Sequence, residues 1–205
     1  MKRVILLVPL SVLCMFAIVC TAAEQSSIDT APPTSASNPQ FSLGYVYQGA
    51  TAVAGGGWFG LNGARADLLL PITQRWGVTA EFSGVNTNNM ASSATALTLF
   101  TYMAGPRYSL PLHRRRGEAD KITTFLQFLF GGVHASEGAF PSGSTLKSRA
   151  DSFAMSAGGG VEVSLRQRIS LRLIQAEYLY TCLPNVTDNY QNNYRIGAGV
   201  VLRLR

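Results

Sequence analysis

From residue 41 onward the chain is written in segments of about ten residues in which large apolar side chains recur at every second position. Strand side chains point alternately to opposite faces, so this spacing predicts strands with one apolar and one polar face. In 76–84, Trp76, Val78, Ala80, Phe82 and Gly84 share one face, while Gly77, Thr79, Glu81 and Ser83 share the other. The last segment repeats the pattern: Tyr194, Ile196, Ala198, Val200, Leu202 and Leu204 alternate with Arg195, Gly197, Gly199, Val201 and Arg203. An apolar outside around a polar, Gly-rich inside is the pattern of a barrel that crosses a membrane with strands of about ten tilted residues.

Counting such segments gives eight, at 41–49, 58–71, 76–85, 96–108, 122–135, 151–164, 169–181 and 193–205. The expectation is an all-β chain, an eight-stranded antiparallel up-and-down transmembrane β-barrel. The connections alternate in length: 50–57, 86–95, 136–150 and 182–192 are long and rich in Gly, Ser, Ala, Asn and Thr, whereas 72–75 and 165–168 are tight turns. Long loops face the exterior and short ones the periplasm. Residues 111–121 are the exception, a longer stretch at the periplasmic end that carries Arg114, Arg115 and Arg116.

Ahead of the barrel, residues 1–23 read as a signal peptide, with Lys2 and Arg3 before an apolar run and Thr21, Ala22 and Ala23 as small residues at a cleavage site. Residues 24–40 hold Ser, Thr, Ala and Pro with one large apolar residue, Ile28, and read as a disordered leader. The expected location is the bacterial outer membrane, after secretion through the inner membrane. Only Cys182 follows the signal, which excludes an internal disulfide or a multi-cysteine metal site in the mature chain. A formal charge of +6 falls to +4 once Lys2 and Arg3 are removed, too small an excess for a nucleic-acid-binding face.

Strand parity puts a polar network in the lumen: Arg65, Asp67, Glu81, Arg107, Gln127, Glu162, Arg172, Gln175, Glu177 and Arg195. Its four arginines and four carboxylates balance, as buried charges must. One segment breaks parity. With Arg172 inward, strict alternation would turn Gln175 and Glu177 outward, so a β-bulge is expected near Ile174, leaving Ala176, Tyr178 and Tyr180 outside. Tyr45, Tyr47, Trp58, Phe59, Tyr178, Tyr180 and Tyr194 toward the outer strand ends, and Trp76 and Tyr108 toward the inner ends, read as two aromatic girdles.

The segments FSLGYVY at 41–47, WGVTAEFSG at 76–84, GPRY at 105–108, FGGVHAS at 130–136, QAEY at 175–178 and NYRIGAGVV at 193–201, in this order, resemble the small eight-stranded outer-membrane β-barrels of the OmpA/opacity type, many of them described as porin family. The resemblance implies a monomer held in outer-membrane lipid, inserted by the barrel-assembly machinery and needing no cofactor. Such barrels usually end in an aromatic residue read by that machinery, whereas this chain ends Leu204-Arg205.

The function expected is non-enzymatic: envelope integrity, or surface contact through the external loops, with the lumen plugged by paired charges. Two other classes remain open, a small-solute channel along the same lumen and a lipid A deacylase-like enzyme. The latter draws on His134-Ala135-Ser136, which resembles the His-x-Ser of outer-membrane lipid A deacylases, with Glu137 or Asp151 as a third acidic group. His113 lies in the basic stretch with no evident partner. A soluble lipocalin-like binder would place its apolar face inside, the reverse of this assignment.

Overall fold

The computed structural model describes residues 38–51, 58–88, 96–112, 122–142, 145–184 and 189–204. Eight strands follow in chain order: β1 Gln40–Thr51, β2 Trp58–Pro71, β3 Trp76–Thr87, β4 Leu97–Leu112, β5 Ile122–Ser142, β6 Thr145–Arg166, β7 Ile169–Thr181 and β8 Gln191–Arg203. Each pairs antiparallel with its sequence neighbours and β8 closes on β1, giving a closed up-and-down barrel. Following the cross-strand pairs once around from Trp76, through Tyr108, Leu126, Gly159, Ala176, Ile196, Tyr47 and Asn62, returns to β3 at Asn86, 86 − 76 = 10 residues on. A stagger of ten over eight strands tilts them by about 40° and leaves a rise along the axis of about 2.5 Å per residue.

Alternation survives in three dimensions. Leu43, Phe82, Phe100, Phe130, Leu173 and Ile196 point outward with about half or more of their surface exposed, and every strand adds to this apolar belt. Inward positions are buried. The bulge in β7 is present: Val161 pairs with Ile174 and Glu162 with Arg172, while across β8 the pairing steps from Arg172–Gly199 to Gln175–Gly197. Leu173 and Ile174 both face outward opposite the single residue Ala198, so Gln175 and Glu177 return inward. Ala176 and Tyr178 are exposed and Tyr180 is half-buried against Tyr190, their rings 6.1 Å apart.

The largest correction concerns 136–150, expected to be a loop. There β5 and β6 run on as a hairpin as far as the Ser142–Thr145 pair, with a register shift between Ser136 and Phe140. Glu137, at φ 65°, supplies the left-handed kink that resets the register. The Gly- and Ser-rich composition hid a ladder that simply continues the barrel's own pairing. Elsewhere the expected loops lose residues to strands: Ala50 and Thr51 belong to β1, Asn86 and Thr87 to β3, Pro111 and Leu112 to β4, and Gln191 and Asn192 to β8. The signal and nearly all of the leader, together with His113 and the run Arg114, Arg115 and Arg116, lie outside the described residues.

A second correction concerns the inside. The charged groups are confined to the half nearest the short turns, and in the far half Gln48, Thr181 and Asn193 are the buried polar side chains among aliphatic ones. The far half is filled by Val46, Leu61, Val85, Leu99, Leu129, Val133 and Leu179, all nearly inaccessible, with Phe59 and Phe140 packed against them. These side chains occupy inward parity positions just as the charged ones do, and the chain changes their character from charged to aliphatic with height in the barrel.

Candidate functional site in the barrel lumen

All ten polar residues named from parity lie in the lumen, none more than 6% exposed. They form one connected network. Arg107 Nη2 donates to Glu162 Oε1 at 2.9 Å, and Arg172 Nε donates to the same oxygen at 3.0 Å. Arg172 Nη1 also donates to Asp67 and, at 2.6 Å, to Gln175 Oε1. Gln175 Nε2 passes the chain on to Glu177 Oε1 at 2.6 Å, which also accepts from Gln127 Nε2 at 2.8 Å. Arg65 sits between three carboxylates, with Glu177 at 2.8 Å, Glu81 at 3.7 Å and Asp67 at 3.8 Å. Arg195 pairs with Glu81 and lies 3.4 Å from Glu177.

Backbone without side chains makes room for this cluster. A Cβ at Gly197 would lie 2.9 Å from Arg65 Nη2, and one at Gly158 would lie 2.7 Å from Glu177 Cγ. Both glycines face the lumen across from the charged residues, so the large side chains of β2 and β7 lie over bare main chain.

Two members were not singled out from the sequence. Ser42 Oγ donates to Asp67 Oδ2 at 2.5 Å. Phe125 is buried beneath two guanidinium groups, with Arg107 3.7 Å and Arg172 5.1 Å from its ring centre. Parity would have found both, since Ser42 alternates with Phe41 and Leu43, and Phe125 shares the inward face of Gln127. Among the described residues no three His, Cys, Asp or Glu side chains are arranged to hold a metal ion. Each lumen carboxylate is instead engaged by arginine.

The His-x-Ser segment lies on the outward face of β5 near the rim. His134 is paired across the strands with Asp151, and its Nδ1 lies 2.6 Å from Asp151 Oδ1. Glu137 is turned elsewhere, accepting from Thr98 Oγ1 at 2.8 Å. Ser136 is two residues from His134 on the same face. The outer aromatic positions cluster around β7, β8 and β2: Trp58 stacks on Tyr194 at 6.0 Å, and Tyr178 meets Tyr194 edge-on at 5.7 Å. At the other end Trp76 and Tyr108 touch at 4.9 Å.

No family model and no curated protein matches this sequence. Solved structures do. Neisserial surface protein A superposes with a TM-score of 0.61 at 14% identity, covering 83% of this chain and 100% of that one. The attachment invasion locus protein Ail of Yersinia pestis, solved in complex with the heparin analogue sucrose octasulfate, gives 0.52 at 17% identity, covering 82% and 100%. The outer membrane protein OprG from Pseudomonas aeruginosa gives 0.51 at 9% identity, covering 83% and 97%. At these identities the likeness is one of architecture, and it is specific: this chain has the fold of the small eight-stranded outer-membrane β-barrels.

Proposed function

We propose that this protein is a bacterial outer-membrane barrel that works without catalysis, closed along its lumen, and that it serves envelope integrity or surface contact through the connections at its long-loop end. The observation that carries the reading is an inverted distribution of polarity. Large apolar side chains ring the outside of all eight strands, while eight charged groups are buried within. A continuous exposed apolar belt of this extent is stable in lipid and a liability in water. It also argues against a lipocalin-like binder, whose outer face would be polar.

With about 2.5 Å of rise per residue, the ten residue steps from Trp76 to Asn86, half of them outward-facing, cover about 25 Å, the height of the apolar band of such barrels. In this reading the chain is a monomer in outer-membrane lipid, inserted by the barrel-assembly machinery. Its polar network and the aliphatic layer above it close the lumen in series.

The test is biochemical. The purified barrel is expected to require detergent, to run at different gel positions before and after boiling, and to fractionate with outer membranes. A monomer that stays soluble and folded without detergent would overturn the reading.

A second reading has one observation in its favour. The contact of His134 Nδ1 with Asp151 at 2.6 Å orients the imidazole, and Ser136 shares its face, as a lipid A deacylase-like site would require. The non-catalytic reading expects lipid A from cells carrying the wild-type chain, His134→Ala or Ser136→Ala to have one mass. Loss of an acyl chain with the wild type alone would establish the enzyme.

A further inference from the structure

At the short-turn end the lumen opens into a cavity of about 230 Å³. The inner ends of the strands and the β2–β3 turn line it, and it lies below the paired charges of the lumen rather than within them. Among the described residues its lining includes Arg75, Arg107 and Arg203 against one carboxylate, Glu162, an excess of 3 − 1 = 2 positive charges.

None of the three arginines has its charge fully met there. Glu162 is shared between Arg107 and Arg172, both at 2.9 Å. Among the described residues Arg203 donates to neutral groups, the Gln167 carbonyl at 3.3 Å and Ser164 Oγ at 3.1 Å. Arg75 stands exposed on the turn with no acidic partner among the described residues. Arg107, 2% exposed, lies at the floor with its guanidinium paired to Glu162 and stacked on Phe125.

We propose that this mouth binds a phosphate ester, with Arg75 and Arg203 gripping the phosphate oxygens above the Arg107–Glu162 pair. A phosphate monoester carries about −1.5 to −2 charges at neutral pH, which matches the excess of the lining, and guanidinium groups suit its oxygens. A carboxylate would leave part of that excess unmet. Leu69, Pro71 and Trp76 add apolar surface beside the polar Gln40, Gln74 and Thr123, and the volume exceeds what a bare phosphate fills. There is therefore space for the carbon portion of the ester. The phosphodiester headgroup of an inner-leaflet phospholipid offers the same phosphate oxygens with one charge instead of two, and Trp76 lies in the aromatic girdle at that end.

The sequence contains two tryptophans, Trp58 and Trp76, and Trp58 is at the opposite end of the barrel. In Trp58→Phe, Trp76 alone reports on the mouth. The folded protein in a phosphate-free sugar detergent is titrated at constant ionic strength with inorganic phosphate, glycerol 3-phosphate, acetate and a dihexanoyl phosphatidylglycerol. Saturable changes in Trp76 emission are expected for the three phosphate compounds, with glycerol 3-phosphate binding at least tenfold tighter than acetate.

Arg75→Gln with Arg203→Gln should weaken glycerol 3-phosphate at least tenfold. Both side chains are at the rim, so heat-modifiable gel mobility should be retained, which separates loss of the site from loss of the barrel. Tighter binding of the short-chain lipid than of glycerol 3-phosphate assigns the site to a headgroup; equal binding assigns it to a soluble ester. No saturable change, equal acetate affinity, or undiminished binding in the double variant would overturn the proposal.

Discussion

Glu81 is fully buried, and its two oxygens meet Arg195, Arg65 at 3.7 Å and Gln127 Nε2 at 3.4 Å. Glu81→Leu would leave Arg195 with only Glu177, at 3.4 Å, as counter-charge. Breaking a buried pair by removing one partner costs more than the pair itself contributes, so a loss of about 3 kcal/mol is expected. Glu81→Gln, which keeps an acceptor, should lose less. Reversible urea unfolding from vesicles measures both, and an unchanged midpoint for Glu81→Leu would contradict the paired-charge description of the lumen. Parity in the sequence tells which side chains face inward. It cannot tell which partner each takes, because the Arg195–Glu81 contact joins residues 114 apart and depends on the stagger of the closed barrel.

Among the elements, β7 shows how far local pattern reaches. Its polar residues Arg172, Gln175 and Glu177 cannot all face inward on a regular strand, and that conflict alone locates the bulge at Leu173 and Ile174. Deleting Ile174 leaves Arg172, Leu173 and Gln175 in plain alternation, so the shortened chain should still fold and keep its heat-modifiable mobility. Deleting Ala176 instead turns Glu177 outward and Tyr178 inward, and should abolish folding into lipid. If the two deletions behave alike, the bulge is not what sets the facing of this strand. The β5–β6 hairpin escaped the sequence because its ladder is encoded by the strands beneath it rather than by its own Gly- and Ser-rich composition. Trimming 138–147 to a short turn should still permit insertion, since the cut lies above the Ser136–Arg149 pair. It should cost about 1 kcal/mol for Phe140, which packs partly on the aliphatic layer. A trimmed chain that fails to insert would show that the hairpin is needed for assembly.

At the scale of the whole molecule, the alternation that predicted eight strands also exposed the closed topology, because eight strands of this length with an apolar outside leave no other way to pair every edge. It did not separate the two layers of the lumen. Inward parity positions near the short turns carry Arg65, Glu162 and Arg172, and those nearer the other end carry Leu61, Val85 and Leu179, a distinction visible only once stagger sets their heights. An eight-stranded barrel has an interior that side chains just fill. Here ions would have to cross a paired charge cluster and then a largely aliphatic layer. Planar-bilayer recordings of the wild type should show at most rare, small openings. Removing one layer should not change this: Leu61→Ser with Leu179→Ser leaves the arginine and glutamate network filling the lower lumen, and Glu81→Gln leaves the aliphatic layer above it. Steady conductance is expected only when all three substitutions are combined. Large, steady currents through the wild type would sink the closed-lumen reading and favour a small-solute channel. Currents through either partial variant would show that the layer it retains is not a barrier by itself.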